Sequence, residues 1–150
     1  FQARLAGLPD PGGAAGDIRR ALLAWDGRMD AASVPAAQYN ALRRALTAIL
    51  VERSGLGAAT AHPFAAVSPG ISPAGQLWWT LPALLRADDA AMLGEWSWND
   101  ALTAALATVA AAAPAQAWGA THQPRFQHPL SPTQLGAARF DPGDYEVLRS

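Results

Sequence analysis

The residues best able to do chemistry concentrate in Trp118–Ser131, which reads Trp-Gly-Ala-Thr-His-Gln-Pro-Arg-Phe-Gln-His-Pro-Leu-Ser. Its two imidazoles, His122 and His128, are side chains that can bind a metal, move a proton or hold a backbone carbonyl. A zinc site requires three or four ligands at a recognised spacing. Two histidines six residues apart do not supply one. The favoured reading is that each imidazole bonds backbone carbonyls or a carboxylate and fixes an irregular segment. A supporting role beside a sheet that holds an active site comes second. His62, alone before Pro63, is read as exposed.

The other candidates are weaker. Asp26 and Asp30 could act as paired carboxylates in acid–base work, but Gly27 breaks the helix between them. A cap for Asp26 and a solvated Asp30 are favoured. Asp141, Asp144 and Glu146 resemble a small calcium loop; Asp-Pro-Gly-Asp lacks its regular ligand alternation and reads as a turn. Ser54, Ser68, Ser131 and Ser150 lie in no Gly-x-Ser-x-Gly elbow, so a triad with His122 or His128 is disfavoured. Trp78, Trp79, Trp96 and Trp98 could line an acyl pocket. Packing in a core or against another chain is the preferred role for aromatics of this size.

The elements that must position these residues are mostly helices. Pro9-Asp10-Pro11-Gly12-Gly13 breaks off a short leading segment. Asp17 is expected to cap a helix carrying Ile18, Leu22 and Trp25 at helical spacing, stopped by Asp26-Gly27. Ser33 starts the clearest helix, with Pro35 in its first turn. Tyr39, Leu42, Leu46, Ile49 and Leu50 form its apolar stripe, with Asn40, Arg43, Arg44 and Thr47 opposite. The two helices should pack as a hairpin through Trp25 and that stripe.

Residues 58–75 read as an extended surface loop. A helix is expected over Gln76–Leu85, apolar nearly all round and so buried on several sides, with Pro82 interrupting its pattern. A helical turn is expected over Asp88–Leu93. Asn99 is expected to cap the last helix, which buries Leu102, Leu106 and Val109 and ends at Pro114. Everything after Pro114 is expected to be irregular or extended, with a short edge strand within Phe140–Leu148. The fold class is therefore mainly α with an extended C-terminal tail: a helical scaffold over 14–113 and a tail over 114–150, forming one segment.

Composition narrows the function classes. A net charge of −1 with no run of like charges argues against nucleic acid. With 51% hydrophobic residues, the most hydrophobic run, Ala101–Ala113, is far below the ~20 residues of a bilayer span. There is no cysteine, hence no disulfide, thiolate metal site or cysteine nucleophile. The chain begins at Phe1 without a signal-peptide pattern and is expected to be processed, trimmed or cut from something longer.

Three motifs, taken in order, carry a resemblance. Leu22-Leu23-Ala24-Trp25-Asp26-Gly27-Arg28-Met29-Asp30 precedes a long helix. Trp98-Asn99-Asp100 opens an alanine-rich helix. Trp118-Gly119, His122, Phe126 and His128-Pro129-Leu130 follow. Over Ile18–Pro142 the chain resembles the C-terminal half of the β chain of the penicillin acylase family, the N-terminal-nucleophile amidohydrolases.

The resemblance implies a periplasmic or secreted enzyme, made as one precursor and cut autocatalytically into two chains within an αββα fold. A serine at the new β-chain N-terminus would be the nucleophile and its α-amine the base, an amine able to accept a proton near neutral pH. The partners implied are a companion α chain, the remainder of the β chain and a small acyl-amide substrate such as a β-lactam side chain or an acyl-homoserine lactone, with no nucleic acid and no membrane. Phe1 has no hydroxyl and is not that nucleophile. The family's oxyanion asparagine and calcium ligands fall upstream, so Asn40 and Asn99 inherit no role. No catalytic, substrate-binding or metal-binding residue is assigned in this segment, and calcium belongs to the parent protein if anywhere. The alternative expectation is a non-catalytic helical interaction module.

Overall fold

Ser33 shows how this sequence turns into helix. Its side chain accepts a hydrogen bond from the Ala36 N–H, which closes one open donor at the helix start, and Pro35 occupies a position that needs no N–H. The computed structural model describes residues 1–57, 73–112, 114 and 116–122. Helix accounts for 71% of these, and no strand occurs among them. The elements are α1 (Gln2–Gly7), α2 (Gly13–Ala24), α3 (Val34–Arg53), α4 (Pro73–Ala87), a 3₁₀ turn (Ala91–Leu93), α5 (Trp98–Ala111) and the single-turn α6 (Trp118–Thr121).

Helix α3 is the mast of the fold and packs against α2, α4, α5, α6 and the 3₁₀ turn. Its expected stripe is present: Leu42, Leu46 and Leu50 are fully buried, with Tyr39 and Ile49 packed at the margin. The expectation that Arg43 and Thr47 face away is corrected. Thr47 is buried and donates to the Arg43 carbonyl oxygen, while Arg43 reaches the backbone of α4. The helix is enclosed on several sides and keeps a solvated strip at Arg44, Ala48 and Glu52, so a one-stripe pattern understates its burial.

From α5, Trp98, Ala101, Leu102, Ala105 and Leu106 complete the core. Each enclosed leucine side chain contributes ~1.5–3 kcal/mol relative to exposure. The expected hairpin of α2 and α3 forms, and the Trp25 and Tyr39 rings lie 5.2 Å apart at its turn end. Gln2 ties α1 to that end by donating to the carbonyl oxygens of Leu22 (2.9 Å) and Trp25 (2.6 Å). Arg19 does the same for α1, donating to the carbonyl oxygens of Leu5 and Ala6. These are carbonyls that a helix leaves without partners at its C-terminus.

Two helix starts differ from expectation. Helix α2 begins at Gly13, after Gly12, with no side-chain cap, and Asp17 lies inside it paired with Arg20. Gly12 and Gly13 both have positive φ, at 71° and 52°, so the chain enters the helix through a turn suited to glycine. Helix α5 is capped by Ser97, not Asn99. Asp100 returns a bond to the Ser97 N–H, completing a capping box.

Helix α4 runs through Pro82, as the expected Gln76–Leu85 span requires, and departs from expectation in two ways. It starts at Pro73, inside the expected loop. It is also buried on one side: Leu77, Leu81 and Leu85 are enclosed whereas Trp79 is 71% exposed. Its continuity across Pro82 has a local cause. Proline supplies no N–H to the carbonyl four residues earlier, which is that of Trp78. Arg43 Nη2 donates to the Trp78 oxygen at 2.6 Å instead.

No described helix is long and apolar enough to cross a membrane. The expected loop over 58–72, the tail from 123 onward with its edge strand, and His62, His128, Ser68, Ser131, Ser150, Asp141, Asp144 and Glu146 lie outside the described residues.

Candidate functional site

The Trp118–Gly119 pair folds back onto the start of α3. The Trp118 N–H donates to the Ser33 carbonyl oxygen at 3.0 Å and the Gly119 N–H to that of Ala31 at 2.8 Å. Ser33 thus serves both elements, its hydroxyl capping α3 and its carbonyl receiving α6. A Cβ on Gly119 would stand 2.8 Å from the Ala31 Cβ and 3.2 Å from the Ala31 Cα and carbonyl oxygen. No unusual φ demands glycine here; the approach of Ala31 does.

The receiving loop is itself braced. Asp26 accepts from the Arg28 N–H at 3.0 Å, Arg28 pairs with Asp30 at 3.1 Å, and the Trp25 indole donates to the Arg28 carbonyl oxygen at 3.0 Å. The Asp30 side chain, by its hydrogen bond and its charge, raises the Arg28 pKa further above its ordinary value. The Trp-Gly motif therefore meets the loop that the Trp-Asp-Gly motif opens, at Ala31 and Ser33.

This placement corrects several expectations. Trp118–Thr121 is a helical turn, not irregular chain. His122 is exposed, and its ring stacks on Trp118 at 4.1 Å with 14° between planes. No hydrogen bond holds that imidazole among the described residues, so it secures the segment through stacking rather than through carbonyls. Asp26 and Asp30 share no helical face; both engage Arg28 in the loop, and Asp26 caps no helix.

The described serines are committed to helix ends. Ser33 and Ser97 cap α3 and α5, and Ser54 donates to the Val51 carbonyl oxygen at the end of α3. The Asp100 carboxyl is held below the usual carboxylate range first by the Ser97 hydroxyl, then by the Ser97 N–H. Asp10 is lowered chiefly by the Gly12 N–H. Both shifts have structural causes. Among the described residues no three His, Asp or Glu side chains converge as a metal site would require.

The tryptophans do not gather into one pocket. Trp98 is buried in the core, and Trp96 lies under Arg53, whose guanidinium carbon is 3.8 Å from the ring centroid. Trp78 lies under Arg43 at 4.0 Å, and Trp79 faces outward. Of the four, Trp78 alone lines a cavity of about 550 Å³, together with Arg44, Thr47, Val51 and Glu52. The Thr47 hydroxyl there donates to the Arg43 carbonyl oxygen of its own helix. A cavity of about 280 Å³ between α1, α2 and α3 is lined by Phe1, Leu22, Trp25, Met29 and Tyr39. It contains no titratable pair suited to acid–base work.

The role of Ala31 was invisible in the sequence, because an alanine in a turn carries no signal. The glycine of Trp118-Gly119 was the available clue to a close backbone approach. Similarly, Ser97-x-x-Asp100 carried the true cap signal for α5.

Comparison with known proteins agrees with the motifs around this junction. The penicillin amidase family model matches residues 2–148. The chain is 55% identical over 132 residues to the penicillin acylase 2 proenzyme of Pseudomonas sp. (strain SE83). That match covers 87% of this chain and 17% of the relative, so the chain spans about a sixth of the relative's length. With the family model matched over residues 2–148 and 55% identity to this relative, the chain belongs to the penicillin amidase family.

Proposed function

We propose that this chain is a helical scaffold portion of an amidohydrolase resembling penicillin acylase. The parent protein hydrolyses an amide between an acyl group and an amine, with a β-lactam side chain or an acyl-homoserine lactone as the substrate class. The nucleophile is an N-terminal serine outside this segment, exposed when a precursor is cut. The companion chain, the remainder of the β chain, the αββα sandwich and a periplasmic or secreted location belong to the same proposal.

The observation that carries it is the 55% identity to a proenzyme of which this chain spans only 17%. The placement of side chains supports the division of labour. Ser33, Ser54 and Ser97 all serve helix ends, and the described interior is built from leucine, alanine, Ile18 and Trp98, with Thr47 bonded within its own helix. Such an interior suits a scaffold role.

The test is to purify the full-length precursor and determine the intact mass and N-terminal sequence of every chain that copurifies with this one. A companion beginning with serine, together with amide hydrolysis by the assembly and none by the isolated 150 residues, is the expected result. Finding this chain alone, soluble and monodisperse, with no companion and no hydrolysis, would overturn it in favour of a non-catalytic helical module.

A further inference from the structure

The Trp118–Gly119 junction has the properties of a latch. It is made by two backbone hydrogen bonds to a loop braced independently by Trp25, Asp26, Arg28 and Asp30. It closes only if residue 119 carries no side chain, because the obstacle is the Cβ, Cα and carbonyl of Ala31. A flexible side chain could move aside; the backbone of a braced loop cannot do so cheaply. The latch also fixes the last described turn of the chain against the start of α3. Trp118 and His122 bracket that turn by stacking, and the His122 N–H bonds the Trp118 carbonyl oxygen at 2.8 Å.

We propose that closure of Gly119 against Ala31 is a conformational device governing assembly of the parent enzyme. It sets the position and direction of the chain at His122 relative to the braced end of α3. Opening it lowers the amount of enzyme that assembles and leaves the chemistry of assembled molecules unchanged. Gly119 is a positioning residue in this scheme and touches no substrate. The link to assembly rests on the amidohydrolase reading above.

The experiment compares wild type, Gly119→Ala, and Gly119→Ala combined with Ala31→Gly, each in the full-length precursor. Amide hydrogen exchange in the purified precursor product reads the latch directly. Gly119→Ala is expected to speed exchange at residues 118 and 119 about tenfold or more, while amides in the middle of α3 and α5 keep their protection. In the precursor it is expected to reduce cut, assembled enzyme several-fold, with hydrolysis per assembled molecule unchanged. The double variant is expected to recover part of both losses, because removing the Ala31 Cβ relieves the 2.8 Å contact but leaves the two at 3.2 Å.

Unchanged exchange at residues 118 and 119, or wild-type yield from Gly119→Ala, overturns the proposal. So does full yield with reduced hydrolysis per molecule. A wild-type precursor that is never cut overturns the enzyme reading instead, and the exchange comparison then still decides whether Ala31 closes the latch.

Discussion

Arg43 repairs the hydrogen bond that Pro82 removes. Proline at position 82 leaves the Trp78 carbonyl without its intrahelical donor, and Arg43 Nη2 fills that place from the neighbouring helix at 2.6 Å. The same guanidinium lies 4.0 Å over the Trp78 ring, so one side chain holds both backbone and indole. Arg43→Met is expected to destabilise the chain by ~1–3 kcal/mol, through an unpaired carbonyl and a lost cation–π contact. In a Pro82→Ala background the helix regains its own N–H, and the same substitution should cost ~1 kcal/mol less. Urea unfolding of the four variants at low protein concentration measures the coupling. Equal costs in both backgrounds would show that the two residues are independent.

Two positions on α4 should respond in opposite ways. Leu81 is 1% exposed and Trp79 is 71% exposed, although the two are similarly apolar. Leu81→Ala is expected to cost ~2–5 kcal/mol, combining lost burial with the cavity left behind. Trp79→Ser is expected to fall within ~0.5 kcal/mol of wild type in the isolated chain. A large loss at Trp79 under dilute conditions would mean that this helix is buried on both sides after all.

These contrasts also show which parts of the fold were legible. Helix α3 could be read in full at its start, because Ser33 and Pro35 are local signals whose effect is local. The Trp25–Tyr39 packing followed from two helical stripes joined by a short turn. The role of Arg43 was hidden because it depends on a proline on another helix, which no periodicity within α3 can report. Asp17 misled because a carboxylate near a helix start is a good cap by type, whereas the glycine pair before it set the entry by conformation. The junction was half legible. Trp118 and Gly119 marked it, but the residues that receive them, Ala31 and Ser33, are ordinary turn and cap residues in sequence. The single-turn α6 was missed because its four residues are too short for any helical period to show.

The capping box on α5 gives a prediction in pH. Ser97 lowers the Asp100 pKa by donating its hydroxyl and N–H to the ionised carboxylate. In the unfolded chain Asp100 returns to an ordinary value near ~3.9. Between the folded and unfolded values the unfolded state binds more protons, so stability rises with pH across that window. The contribution is therefore complete above the ordinary aspartate range and disappears as pH falls through the depressed folded value. Asp100→Asn, which does not titrate, should flatten this part of the acid limb. Ser97→Ala should cost ~1 kcal/mol near neutral pH, as loss of a helix cap does. It should also move the Asp100 carboxyl titration, followed by carbon NMR, back up toward the ordinary range. An Asp100 titration that ignores Ser97→Ala would mean the depression comes from another charge, and Arg53, whose positive charge is the remaining influence lowering it, would then be the residue to replace.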